Sequence, residues 1–370
     1  MAYAFLNQTY IDSDNSKLIQ FIERSVVEFE IPEGIAEIGS CAFWSCKKME
    51  KITIPDTVKT LGSSCFRECN ALKEITLPEN VSYIGDNAFV NSTSIKELVI
   101  PPKVNAVLGW TCAGMTSLEK IIFQGNINAI AYSAFQNSYN CKVFDFTNCT
   151  SVPNLTIISA FSGINADAKI LVPAALYDKW IVATNWVTYA DYIVPVAFLP
   201  VIEIPEKASE GLLIENGVLK GRGSCTDNII VVPEEVTGTE WQLFNNDNQI
   251  DTLILPEKGI RIAGYLGENS TLRVLMNYYN MNTSFGLSTA GNLEFISIIG
   301  SCDIDNYQFF CLPDGVKYDF SRCESVPVLS SAEYITVGEG TLIYVPLELY
   351  DEWINATNWS EISEYIAVAR

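Results

Sequence analysis

Eleven cysteines and no histidine set the chemistry open to this chain. Without imidazole there is no Ser-His-Asp triad, no Cys-His dyad, no histidine-ligated zinc or haem and no histidine general base. Thiol and carboxylate chemistry remain. Zinc needs four convergent ligands, and no paired CxxC motifs supply them. Cys46 and Cys69 stand 23 residues apart, and Cys41 and Cys65 precede Phe43 and Phe66. Cysteine is among the most buried residue types, so buried thiols are the expectation. If neighbouring units stack, Cys46 and Cys69 also come within disulfide range. Asp12, Asp14, Ser16 and Glu23 fit positions 1, 3, 5 and 12 of a calcium loop, but Lys17 stands where its sharp-turn glycine belongs. An Asp- and Asn-rich hairpin turn explains the same letters, and "NNDNQID" at 245–251 reads as an acidic loop. Glu33, Asp56 and Glu79 each follow a proline and read as solvated turn acids rather than a catalytic pair. The chain is therefore expected to be non-enzymatic, with no cofactor and no metal.

Charge and length narrow the field further. Forty-four acids against 23 bases give a net charge of −21, which disfavours nucleic acid and anionic membrane surfaces. No apolar run reaches the roughly 20 residues that span a bilayer, so no membrane insertion is expected. No secretory leader is visible in "MAYAFLNQTYIDSDNSKLIQ". At 370 residues with 48% hydrophobic content, the chain has material for more than one packed core.

The elements that position these residues come from a repeat. Pro32, Pro55, Pro78 and Pro101 recur at a period of 23, in "FEIPEGIAEIGSCAFWSCKKMEK", "ITIPDTVKTLGSSCFRECNALKE", "ITLPENVSYIGDNAFVNSTSIKE" and "LVIPPKVNAVLGWTCAGMTSLEK". Degenerate copies carry Phe123 and Phe146 in the same phase. Ile52 and Ile54, Ile75 and Leu77, Leu98 and Ile100, and Ile121 and Phe123 alternate with polar residues, predicting half-buried strands that the prolines end. Gly39, Gly62 and Gly85 are expected to supply unusual backbone dihedrals. Phe43, Phe66, Phe89 and Phe135 are expected to stack as a ladder of rings, and Met49, Leu72, Ile95 and Leu118 to close each unit. A single unit cannot bury its apolar face, whereas stacked units about 4.8 Å apart can.

The pattern "IxIPxxVxxIGxxAFxxCxxLxx" resembles the BspA-like class of leucine-rich repeats, most closely over residues 29–122 and fading to about 157. Ser92 and Met115 stand where the repeat's cysteine is expected, and Cys112 replaces its phenylalanine. These departures are expected to loosen packing columns. The resemblance implies a repeat solenoid, with surface adhesion or host contact as the function.

A second solenoid is predicted from a repeated decapeptide. "YDKWIVATNW" at 177–186 recurs as "YDEWINATNW" at 350–359, and "FDFTNCTSVPNL" from 144 is echoed by "YDFSRCESVPVL" from 318. Leu176, Trp180 and Ala183 lie at helical spacing, with Tyr177 and Ile181 beside them, predicting a short lid over an open core. An exposed aromatic platform for sugar stacking is the alternative. Pro233 and Pro256 restart the 23-residue period, and Asn216-Gly217 predicts a tight hairpin. The fold expected is therefore two tandem β-rich leucine-rich-repeat lobes, each with an N-terminal hairpin cap and a C-terminal short-helix cap. The first spans 1–195 with its helical cap at 173–194. A linker covers 196–211. The second, degenerate lobe spans 212–370 with its helical cap at 346–367.

With Ile52 and Ile54 inward, Lys51 and Thr53 point out, followed by Glu74, Thr76, Glu97, Val99, Lys120 and Ile122 in matching slots. This sheet face is the candidate recognition surface, more apolar toward Val99 and Ile122, an end expected to be either a contact patch or the place where the neighbouring lobe packs. The expected function is non-catalytic recognition or adhesion toward a protein or cell-surface glycan, in an extracellular, cell-surface or particle-associated setting. A structural component of a phage tail or other extracellular particle is the second reading, and a leaderless cytoplasmic scaffold the third.

Overall fold

The computed structural model describes residues 4–6, 9–12, 16–240, 243–244, 247, 249–258, 260, 271–278, 291–300, 304, 309 and 312–370. Asp14 of the calcium template and part of the 245–251 loop lie outside them. The chain divides into two compact units, Met1–Val196 and Ala197–Arg370.

The first unit opens with the antiparallel strands Ala4–Leu6, Thr9–Ile11 and Lys17–Phe21. Asp12 shapes the second turn, its Oδ1 accepting from the N–H groups of Ser16 (2.9 Å) and Lys17 (3.0 Å). Every later pairing in the unit is parallel. Glu28–Glu30, Lys51–Thr53 and Glu74–Ile75 form one ladder. Glu97–Ile100, Lys120–Phe123, Val143–Asp145, Lys169–Pro173 and Ile193–Ala197 form another. Lys51 faces Glu74 and Glu97 faces Lys120, so the sequence period is the pairing register. A second, two-residue strand per rung, such as Glu37–Ile38, Thr60–Leu61 and Tyr83–Ile84, builds the opposite wall.

Between the two walls each rung makes a turn bonded both within itself, as Trp44 N–H to the Cys41 carbonyl at 3.1 Å, and to its neighbours. Cys41, Phe43 and Ser45 donate their N–H groups to the carbonyls of Ser63, Cys65 and Arg67 on the next rung, at 2.8–2.9 Å. Ser64, Phe66 and Glu68 do the same to Asp86, Ala88 and Val90, and Asn87, Phe89 and Asn91 to Gly109, Thr111 and Ala113. The first rung has no predecessor. There the N–H of Phe21 donates to the carbonyl of Ala42, and the Arg24 guanidinium to that of Trp44.

This turn corrects the role assigned to the glycines. Gly39, Gly62 and Gly85 do not adopt positive φ. They are required because the rungs touch: a Cβ on Gly62 would lie 2.5 Å from the backbone N of Ser40 and 2.6 Å from the carbonyl carbon of Gly39. The left-handed positions are two other columns, Cys41, Ser64, Asn87, Trp110 and Ser133, and Ser45, Glu68, Asn91, Gly114 and Asn137.

The core is the predicted one except that Cys112 interrupts the ring ladder, so Phe135 leaves the stack and meets Phe123 edge to face at 6.1 Å. Phe43, Phe66 and Phe89 stack with centroids 5.3 and 5.7 Å apart and planes tilted by 12° and 9°. Phe123 and Phe146 stack at 4.3 Å, and Met49, Leu72, Ile95 and Leu118 are fully buried. The cysteine column differs from expectation. Cys69 Sγ donates to the Phe43 carbonyl at 3.1 Å, Ser92 Oγ to that of Phe66 at 2.6 Å and Ser138 Oγ to that of Cys112 at 3.0 Å. Serine at 92 therefore loosens nothing, because it makes the inter-rung bond that cysteine makes one rung earlier.

The decapeptide is explained almost letter by letter. It covers the short α-turn Tyr177–Ile181 and enters the 3₁₀ segment Trp186–Tyr192 at Trp186, with another 3₁₀ turn, Ala174–Leu176, immediately before it. Trp180 and Trp186 are fully buried, meet edge to face at 5.3 Å, and pack on Phe146. Asn185 takes the left-handed conformation (φ 66°), and its amide donates to the Leu155 carbonyl at 2.6 Å. The Trp186 indole donates to the Pro153 carbonyl at 2.8 Å.

In the second unit the hairpin Leu213–Glu215 and Val218–Gly221 turns on Asn216 and Gly217, both at positive φ. Parallel strands follow at Ile229–Val231, Thr252–Ile254, Val274–Tyr278, Phe295–Ile299, Lys317–Arg322, Leu342–Val345 and Ile366–Ala369. Trp353 and Trp359 repeat the earlier pair at 5.3 Å, packed on Phe320. Asn358 bonds the Leu329 carbonyl at 2.6 Å and the Trp359 indole that of Pro327 at 2.8 Å.

Candidate functional site

Strand alternation divides the predicted face cleanly. Ile52, Ile54, Leu98, Ile100, Ile121 and Phe123 are buried, while Lys51, Thr53, Glu74, Thr76 and Glu97 are exposed. Val99, Lys120 and Ile122 are half-buried. The eight residues fall on two ladders, Lys51 and Thr53 with Glu74 on one, Glu97 and Val99 beside Lys120 and Ile122 on the other. Thr76 lies just beyond the strand Glu74–Ile75.

Electrostatically the face is a mosaic. Lys51 Nζ lies 3.8 Å from Glu74, Lys73 Nζ 2.9 Å from Glu50 and Lys96 Nζ 2.9 Å from Glu119, each pair one rung apart. Such exposed pairs contribute little to stability, so their alternation matters more as a pattern than as an adhesive. Two open grooves cross the rungs. Lys51, Thr53, Asp56, Glu74, Thr76 and Pro78 line one, and Lys96, Ser117, Glu119, Asn140 and Lys142 the other.

The open face ends beyond Ile122. The column of Ile122 continues through Asp145, Leu171 and Val194, which are only 3%, 7% and 1% exposed. In the second unit the corresponding column, Ser297, Asp319, Tyr344 and Ala367, is buried throughout. Asp145 Oδ1 is held by the Thr147 N–H (3.1 Å) and hydroxyl (2.6 Å), and Asp319 by the Ser321 N–H (2.9 Å). Alternation marks which side a residue takes, and these two echoed aspartates were the available sign that this side closes.

The thiols are poorly placed for nucleophilic work. Burial pushes Cys46 up to about 11 and Cys69 and Cys141 up to about 12, and raises Cys65 and Cys112 well above the ordinary thiol value. Cys41, Cys46, Cys65, Cys69, Cys112, Cys141, Cys149 and Cys225 are free thiols, and of these Cys41 alone is exposed. Among the described residues no three acidic or cysteine side chains converge on a metal-sized site. No helix of the described residues is long and apolar enough to cross a membrane.

Residues 19–142 match the BspA type leucine rich repeat region in six copies. Solved structures similar to the chain are bacterial. A leucine-rich repeat protein from Bacteroides capillosus is 24% identical over 34% of this chain and 100% of its own, with a TM-score of 0.28. A leucine rich cell surface protein from Faecalibacterium prausnitzii is 13% identical, covering 94% and 89%, with a TM-score of 0.34. A leucine-rich repeat protein from Bacteroides ovatus is 16% identical, covering 100% and 97%, with a TM-score of 0.29. No curated protein matches the chain.

Proposed function

We propose that this chain, built on a BspA-type repeat region, is a non-catalytic recognition protein that presents the outward strand face of its first lobe to a macromolecular ligand. In this reading the two units are tandem lobes, 1–195 and 212–370, joined by 196–211. Each opens with a hairpin cap and is closed by a tryptophan-bearing helical cap, at 173–194 and 346–367. The carrying observation is the open face over Lys51, Thr53, Glu74, Thr76 and Glu97, set on a core in which every inward neighbour is apolar. A face held by inter-rung backbone bonds loses little conformational freedom on binding, which favours recognition. Its mixed charge suits a protein or glycan rather than a polyanion. An extracellular or cell-surface setting follows from the same reading.

The test is a host-protein and glycan binding array with the whole chain, then Thr76→Arg and Val99→Arg, which place a long cation on each ladder of the face. Loss of binding in either variant with an unchanged melting temperature supports the assignment. Binding that survives both removes this face as the recognition surface.

A further inference from the structure

A corner of the first unit away from the strand face carries an aromatic arrangement that folding does not require. In the first left-handed column most rungs place Cys, Ser or Asn, small or polar residues that fit this conformation at modest cost. The fourth rung places Trp110 there instead, at φ 59° and 39% exposed. A bulky ring on a disfavoured backbone, facing water, marks a position kept for something other than packing. One rung on, Tyr132 is 50% exposed, yet its ring is seated. A Cβ on Gly109 would come within 2.5–2.9 Å of Tyr132 Cζ and both Cε atoms, so the ring end rests directly on the Gly109 backbone. Gly109 is out of phase with Gly39, Gly62 and Gly85. The glycine of this rung has moved one place along, Leu108 filling its usual slot. Gly109 and Tyr132 therefore form a matched seat and ring. Asp86, on the rung before, accepts the Gly109 N–H through Oδ1 at 3.0 Å, which fixes a carboxylate beside the pair. Tyr83, three residues earlier, is 47% exposed.

We infer that Trp110, Tyr132 and Asp86 form a binding subsite for an uncharged pyranose-based glycan. A sugar's apolar face stacks on an aromatic ring, and its hydroxyls need acceptors at the ring's edge; the seated Tyr132, Trp110 and the second oxygen of the Asp86 carboxylate supply both. Backbone contact pre-orients Tyr132, so little side-chain entropy is lost on binding. A net charge of −21 repels uronate- or sialate-bearing chains and leaves neutral ones. This subsite is distinct from the strand face and does not depend on its assignment.

The test is calorimetric titration of the full chain with cellohexaose, maltohexaose, mannohexaose and chitohexaose, with polygalacturonate as the anionic comparison. At least one neutral oligosaccharide is expected to bind saturably and polygalacturonate not to bind. Tyr132→Ala and Trp110→Ala are each expected to weaken binding about tenfold while lowering the melting temperature by no more than about 4 °C, since both rings are only partly buried. Tyr132→Phe, which keeps the stacking ring, is expected to stay within about twofold of the parent. The inference is overturned if no neutral oligosaccharide binds, if affinity is unchanged in both alanine variants, or if Thr76→Arg abolishes binding while Tyr132→Ala does not.

Discussion

Ser92→Ala removes one oxygen that serves two rungs. Ser92 Oγ donates to the Phe66 carbonyl at 2.6 Å and accepts the Cys69 N–H at 3.2 Å. Ser92, Phe66 and Cys69 are all fully buried, so water does not replace what is lost. Stranding a buried donor and weakening a buried acceptor costs about 2–3 kcal/mol, while the methyl left behind opens almost no cavity. For a unit the size of Met1–Val196, each kcal/mol lowers the melting temperature by about 2–4 °C, so a fall of roughly 4–12 °C is expected. Ser92→Cys provides the sharper comparison. A thiol there can take the role that Cys69 Sγ plays toward Phe43, limiting the loss to about 1 kcal/mol. Differential scanning calorimetry on parent, alanine and cysteine variants, with urea titration as a cross-check, measures the ordering. Equal stability of the two variants would refute the claim that this column works by hydrogen bonding rather than by filling space.

The two tryptophans of each helical segment are predicted to differ. Trp186 and Trp359 donate their indole N–H groups, whereas those of Trp180 and Trp353 are buried without an acceptor among the described residues. Trp186→Phe should therefore destabilise by about 1 kcal/mol more than Trp180→Phe, with the same ordering for Trp359 and Trp353 in urea denaturation; a reversed order would contradict it. Alkaline pH should weaken the first unit. Its buried thiols have folded pKa values raised to about 11 or 12 from an ordinary 9.0, so the unfolded chain releases protons first. Their contribution is whole below about pH 9 and is lost as pH climbs toward 11–12, each thiol withdrawing up to about 1.4 kcal/mol per pH unit. A melting temperature that stays flat from pH 8 to about 11 would show that these thiols are not buried as described.

Much of this architecture was legible because its causes are local. The proline period fixed the pairing register, and alternation around Ile52 and Ile54 separated core from surface. The decapeptide announced a buried Trp180 because its apolar letters fall at helical spacing, whereas Trp186, in a separate 3₁₀ segment, carried no such mark. What was hidden depends on contact between rungs. Gly62 looks like a turn residue, yet what demands it is the backbone of Ser40 and Gly39, 22 and 23 residues away in sequence. The left-handed columns keep no single letter, since Cys41, Ser64 and Asn87 are held there by bonds to the next rung as well as by their tolerance of that conformation. Ser92 looked like a lapse in the cysteine column because the shared property is a hydrogen bond to a carbonyl. The candidate face was legible as a side of the sheet, whereas the point at which it ends, Asp145, was not, because alternation carries no information about what covers a surface.

The turn bonds have a direction. In rung after rung the amides at Cys41, Phe43 and Ser45 and their successors point toward the C-terminal neighbour, and the carbonyls point back. Three files of peptide dipoles thus run parallel along the stack, as they do along a helix axis, and their moments add. Partial negative charge gathers at the first rung, where Arg24 sits on the Trp44 carbonyl. Partial positive charge gathers at the far end, where the amides of Phe135 and Asn137 meet the carbonyls of Ala160 and Ser162. A polymer of identical-looking turns is in this way electrically polar, with a cation stationed at its negative pole.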